Sequence, residues 1–166
     1  KNLEIKISFT EENAKFWQYI SDQTMGGISN GKAILEKNEE IFFARLIGNV
    51  SIANNGGFIQ LRSTLPFVNL IDEDKVLKGV RLNTRGNGET YHIFIRTSET
   101  RSYSDFYYAT FIANNDWKVV DLPFTTFNHR FSNQSLDGSD IRTFAIVAYG
   151  RDFFSDVSVS DIIFYY

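Results

Sequence analysis

The stretch MGGISNGKAILEK, Met25–Lys37, carries the glycines of a phosphate-binding loop but not the element that must follow them. A phosphate cradle needs backbone N–H groups converging on a helix N-terminus, usually after a buried strand. Here Ile28–Gly31 is turn chemistry, and Ala33–Leu35 continues as a strand. The second glycine pair, in NNGGF (Asn54–Phe58), is likewise followed by a strand. Neither a G-x-x-x-x-G-K-[ST] run nor a G-x-G-x-x-G run after a strand is present. The glycines are therefore read as corner residues, with Gly26, Gly27, Gly56 and Gly57 expected to include positive-φ positions. Asp22, just upstream, is expected to bond nearby backbone N–H groups, and Met25 to fill a gap under the corner.

Outward from this stretch the period is two. Leu3, Ile5, Ile7 and Phe9 alternate with polar residues, and Lys32–Glu36 and Ile41–Leu46 read as paired strands. Phe58–Thr64, Gly79–Arg85, Tyr91–Thr97, Phe106–Ile112, Lys118–Leu122, Arg142–Tyr149 and Val157–Tyr165 follow. GNGE (Gly86–Glu89) predicts a tight hairpin between its flanking strands, and ANND (Ala113–Asp116) another hairpin between its own. Helix is expected only as a turn or two within Thr10–Tyr19 and a short turn within Leu70–Leu77. An aromatic content of 16% in 166 residues fits pleated, half-buried surfaces. No repeat or linker interrupts the pattern. One domain over residues 1–166 is expected, an all-β antiparallel sandwich or barrel.

Composition narrows the chemistry. A net charge of −3 with scattered acids and bases argues against nucleic acid and polybasic membrane contacts. No apolar run approaches the roughly 20 residues of a membrane span, and no signal peptide is expected from the alternation that begins at Lys1. The absence of cysteine removes disulfides, thiolate zinc sites and a thiol nucleophile. It fits a reducing compartment such as the cytoplasm, though exported domains also lack cysteine. His92 and His129 have no metal-ligand spacing, no G-x-S-x-G occurs, and the paired acids lie at element ends. No metal, cofactor or catalytic residue is expected; Asp152 and Asp156 are acids at which a loop calcium is conceivable but unspecified by spacing.

A longer set of residues lies in a distinctive order. Trp17, Asp22 and MGGIS (Met25–Ser29) precede Gly48, NNGGF and Arg62; GVRL (Gly79–Leu82), RGNGETY (Arg85–Tyr91), Arg96, Trp117 and LPFTTF (Leu122–Phe127) follow. The chain thereby resembles the complex I intermediate-associated protein family over nearly its whole length. The resemblance implies a galactose-binding-like jelly-roll, similar to some carbohydrate-binding modules, and a non-catalytic, assembly-factor-like role in binding a protein. Asn87 departs from the family pattern, which usually has Asp there; as a turn residue Asn serves equally well.

The arginines on strands are the candidate site. With the apolar members of each strand turned to the core, Gln60, Arg62, Arg81, Asn83, Phe94 and Arg96 are expected to share one outer sheet face. Guanidinium, amide and aromatic groups together can stack on a sugar ring or a partner side chain and clamp a carboxylate. Tyr107 or Tyr108 is expected to join them, while Trp17 and Trp117 are expected to pack in the core or at a corner. The function expected is non-enzymatic binding of a protein partner through this face, with carbohydrate binding as the alternative.

Overall fold

The computed structural model describes residues 4–63, 74–102 and 104–166. Among these residues, twelve strands form two six-stranded antiparallel sheets packed face to face. They are β1 (Glu4–Ser8), β2 (Trp17–Ser21), β3 (Asn30–Asn38), β4 (Ile41–Val50), β5 (Phe58–Ser63) and β6 (Gly79–Gly86). Next come β7 (Thr90–Arg96), β8 (Tyr107–Ile112), β9 (Lys118–Pro123), β10 (Asn128–His129), β11 (Thr143–Tyr149) and β12 (Phe153–Tyr165). Sheet I runs β3–β4–β12–β6–β9, with β1 paired to the far half of β12; sheet II runs β10–β8–β7–β11–β5–β2. This is a jelly-roll β-sandwich, the expected architecture.

The inward residues of the two sheets form one core. Ile59 and Leu61 of β5, Tyr91, Ile93 and Ile95 of β7, and Phe144 and Ile146 of β11 meet Leu46, Val80, Leu82, Val157, Val159, Ile162 and Phe164 from sheet I. Each such large side chain contributes about 1.5–3 kcal/mol when fully removed from water. A bulge keeps β12 in phase with this core. Val159 pairs with Thr84 and Asp161 with Asn83, so Ser160 is an extra residue. It resets the alternation, which lets both Val159 and Ile162 face inward although three positions separate them.

Both expected hairpins are instead crossovers between the sheets. β6 lies in sheet I and β7 in sheet II; β8 lies in sheet II and β9 in sheet I. The two crossings bind each other: Gly86 N–H donates to Asn114 O at 2.7 Å and Gly88 N–H to Ala113 O at 2.7 Å. Asn87 anchors the first, donating from Nδ2 to Phe154 O at 2.8 Å and accepting at 2.6 Å from the hydroxyl of fully buried Tyr91. In-phase apolar faces on β6 and β7 fit opposite walls of one core as well as they fit neighbours in one sheet, so the local pattern leaves the choice open. The helical turn expected within Thr10–Tyr19 is a single 3-10 turn at Ala14–Phe16, which leads into β2, paired with β5. That pairing satisfies the β2 backbone at no cost of helix nucleation. Trp17 packs against Phe9 and Phe144, a core-side position as expected. The turn expected within Leu70–Leu77 falls largely outside the described residues.

Candidate functional site

Strand alternation lays a second set of side chains on the outer face of sheet II. Gln18, Arg62, Ala145, Phe94 and Tyr108 stand in one cross-strand row, and Ile20, Gln60, Val147 and His92 in the next. Thr143 opposite Arg96 and Tyr149 opposite Phe58 extend the face at either end. Phe94, Phe106, Ala145 and Val147 form a small buried apolar cluster there, separate from the main core. Phe94 and Phe106 stack with centroids 3.8 Å apart, and Tyr149 meets both edge-on. Over this floor opens a cleft of about 180 Å³, with Met25, Phe58, Gln60, Arg96, Arg130 and Tyr149 among its lining.

The glycine motifs build one wall of that cleft. Asp22 is fully buried, and its carboxylate accepts the N–H groups of Ser29 (3.0 Å), Gly57 (2.6 Å) and Phe58 (3.2 Å) and the Ser29 hydroxyl (2.5 Å). One carboxylate thus ties the loop after β2 to the loop before β5, as expected for Asp22. Two glycines hug it: a Cβ at Gly27 would lie 2.5 Å from Asp22 Cγ, and one at Gly56 2.5 Å from Oδ2. Gly26 (φ +89°) and Gly57 (φ +127°) supply the positive-φ corners. Met25 does not plug a gap; it is 39% exposed and lines the cleft, because the 3-10 turn Asp22–Met25 ends at left-handed Gly26 and turns Met25 outward.

A second lock builds the opposite wall. His129 Nε2 lies 2.7 Å from Asp105 Oδ1, and Nδ1 accepts from Phe131 N–H at 3.3 Å with the Ser132 hydroxyl at 2.8 Å. An accepting Nδ1 places the proton on Nε2, facing the carboxylate. The His129 contact holds the Asp105 carboxyl below the ordinary carboxylate range. Serine, histidine and acid are in line here, but Ser132 sits on the same turn as His129 and its oxygen takes the Gln134 N–H at 3.1 Å. The array fixes the segment that carries Arg130, whose N–H bonds Phe106 O at 3.0 Å and whose guanidinium lies 5.3 Å from the Phe106 ring centroid.

The polar groups of the face are incompletely satisfied. Gln60 Oε1, Arg62 Nε, His92 Nδ1 and Thr143 Oγ1 are buried and meet no hydrogen-bond partner among the described residues. Burial pushes Arg62 down; burial, then the neighbouring charge of Arg62, pushes Arg96 down to about 10, partly opposed by Asp105. His92 is pushed down to about 4, first by burial and then by Arg151, which keeps its ring neutral near pH 7.

Of the six expected site residues the structure brings four together, Gln60, Arg62, Phe94 and Arg96. Arg81 and Asn83 do not join them, because β6 crossed to sheet I. Arg81 stacks over the Tyr165 ring at 4.4 Å with Glu4 at 3.7 Å, and Asn83 donates to Ser160 Oγ at 2.8 Å. Tyr108, not Tyr107, faces outward. Tyr149, Thr143 and Arg130 escaped the sequence reading: β11 is buried on both faces, so its alternation is mute, and Arg130 lies outside the strands that carry the pattern. His92 was legible, being in phase with Phe94 and Arg96. Among the described residues no group of three or more His, Cys, Asp or Glu is placed to hold a metal ion. Asp152 accepts Ile52 N–H at 2.9 Å, and Asp156 takes both arms of Arg45 at 2.8 Å. No helix among the described residues is long and apolar enough to cross a membrane.

Comparison with solved structures gives the same fold at low identity. The family 11 carbohydrate-binding module of Clostridium thermocellum, in complex with a β-1,3-1,4-mixed-linked tetrasaccharide, superposes with a TM-score of 0.73 at 14% identity, over 99% of this chain and 97% of that one. The family 30 module of the cellulosomal cellulase Cel9D-Cel44B from the same organism gives 0.59 at 13%, covering 90% of each chain. The K2 cleaved adhesin domain of Lys-gingipain gives 0.58 at 12%, covering 98% and 99%. No curated protein sequence matches the chain. A family model matches residues 7–154, covering both glycine motifs, the crossovers and every strand that carries the cleft floor: the chain belongs to the complex I intermediate-associated protein 30 family.

Proposed function

We propose that this domain is a non-catalytic saccharide-binding module whose ligand lies on the outer face of sheet II. The observation that carries the reading is the mixed set of unpartnered buried groups: an acceptor at Gln60 Oε1, a donor at Arg62 Nε and a hydroxyl at Thr143. Leaving such groups unmade costs about 1–3 kcal/mol each. A ligand rich in hydroxyls supplies donors and acceptors at every position, and half-buried Phe58, Tyr108 and Tyr149 offer ring faces and edges to a sugar. The jelly-roll shared with carbohydrate-binding modules supports the reading at the level of fold. Calorimetric titration with soluble oligosaccharides, repeated with Tyr149→Ala, tests it. Binding that the variant weakens at least tenfold is expected, and binding indifferent to Tyr149 would overturn the assignment of this face.

A protein partner is the second reading. Membership of a family named for association with a complex I intermediate favours it, as does the arginine, tyrosine and methionine content of the cleft, residue types enriched at interfaces. Affinity capture with the wild type and with Arg62→Ala/Arg96→Ala separates the two, with Arg81→Ala on the other sheet as control. An unchanged set of retained proteins removes the protein reading for this face.

A further inference from the structure

We propose that β3 is a self-pairing edge: two copies of this chain join antiparallel along it and continue sheet I from one molecule into the next. β3 ends the sheet, and among the described residues no strand pairs with its outer side. The other sheet ends are blunted by shortness or by proline. β10 has two residues, β1 and β2 have five each, and β9 closes on Pro123. β3 runs nine residues without proline, and no bulge breaks its register with β4. Tyr19 bonds the Gly31 backbone at one end, which leaves Lys32–Lys37 as the open stretch. None of those six residues is buried, and among the described residues no backbone bond outside the β3–β4 pairing involves them.

The edge selects one partner and one register. A two-fold axis through Ile34 sets Ile34 against Ile34, Ala33 against Leu35 and Lys32 against Glu36 of the second copy. Ile34 is the midpoint of Asn30–Asn38, so the register that opposes the charges also overlaps the whole strand. An axis at Lys32 or Glu36 sets like charges opposite each other, and one at Ala33 or Leu35 leaves Lys32 and Glu36 facing uncharged side chains. An edge lysine ordinarily guards a strand against addition. Here Lys32, exposed and without an ion-pair partner among the described residues, meets an acid of the copy. Glu36 lies 3.7 Å from Arg45, which also holds Asp156, so the second copy's Lys32 extends a charge row across the outer face of sheet I. On the inner side Ala33 and Leu35 line an apolar slot of about 140 Å³ with Trp17 and Tyr19, and the copy's Leu35 continues that side past Ala33. Facing residues share a face, so the axis stands perpendicular to the sheet. The outer faces of sheet II then look the same way in both copies, and the dimer presents two clefts side by side, whatever ligand they take.

The test is the oligomeric state of the whole chain by sedimentation equilibrium, taken from about 5 μM to about 500 μM because an edge contact lies at the small end of interfaces. A reversible dimer is expected. Lys32→Glu and Glu36→Lys should each raise its dissociation constant at least tenfold, because each sets two like-charged pairs on the interface. An equimolar mixture of the two variants should regain a heterodimer, and the double variant Lys32→Glu/Glu36→Lys a homodimer, each within threefold of the wild-type constant. Thermal unfolding of every variant, with rescue in the mixture, separates lost pairing from lost fold. A chain that stays monomeric throughout overturns the inference, and so does a dimer indifferent to both reversals. Weakening that neither the mixture nor the double variant rescues overturns the pairing about Ile34, and the inference with it. None of these outcomes bears on the saccharide reading, which the titrations of the sheet II face test on their own.

Discussion

Replacing Asp22 by alanine should unfasten the wall that the glycine motifs build. Among the described residues the carboxylate is the sole acceptor for the N–H groups of Ser29 and Gly57, both buried. Stranding two such donors costs about 1–3 kcal/mol each, so a loss of about 4 kcal/mol is expected. For a domain of this size that is about 8–16 °C in the unfolding midpoint. Urea denaturation and calorimetry on wild type and variant measure it, and a loss below about 1 kcal/mol would refute the role given to the carboxylate. A double-mutant cycle sharpens the test. Gly56 has negative φ, and the nearest atoms to an added Cβ are Asp22 Oδ2 at 2.5 Å and Cγ at 2.9 Å, with Ala53 O next at 3.1 Å. Gly56→Ala should therefore cost about 2 kcal/mol in the wild type and much less beside Asp22→Ala, giving a coupling of about 1 kcal/mol or more. Strictly additive costs would mean that the glycine is needed for something other than room for the carboxylate.

Two further outcomes follow from the same geometry. His92 is held neutral in the fold, with its pKa lowered from 6.5 to about 4. Below 6.5 the unfolded chain gains a proton that the folded chain resists, so stability is full above that pH and falls as pH drops from 6.5 towards 4. His92→Gln should flatten the difference in urea midpoint between about pH 7.5 and pH 5; an unchanged slope would place the titration elsewhere. Asn87→Asp, which restores the acid usual in the family pattern, loses the amide donor to Phe154 O and sets a carboxylate beside that carbonyl. A loss of about 1–2 kcal/mol is expected by denaturant titration, and an equally stable variant would remove Asn87 from its role at the crossover.

Much of the molecule was legible in the chain itself. Period-two alternation, aromatic content and glycine corners without a helix sufficed for an all-β sandwich, because a strand's faces differ in burial wherever only one of them meets the core. The same alternation put Gln60, Arg62, Phe94 and Arg96 on an outer face, and the placing of Asp22 among backbone N–H groups followed from its type and its loop. Sheet assignment was another matter. Nothing between Gly86 and Glu89 says whether β7 lies beside β6 or across the core from it, since inward-facing Leu82 and Ile93 are satisfied either way. Asn87, Tyr91 and the paired crossings settle it through contacts with Phe154, Asp156 and Asn114, far away in sequence. That choice separates Arg81 and Asn83 from the other four. It also sets Thr143 on the outer face and gathers Tyr149 of β11, with Arg130 behind the His129 lock, into a cleft that local pattern could not contain. Alternation reports which residues share a strand face; only tertiary packing decides which faces meet.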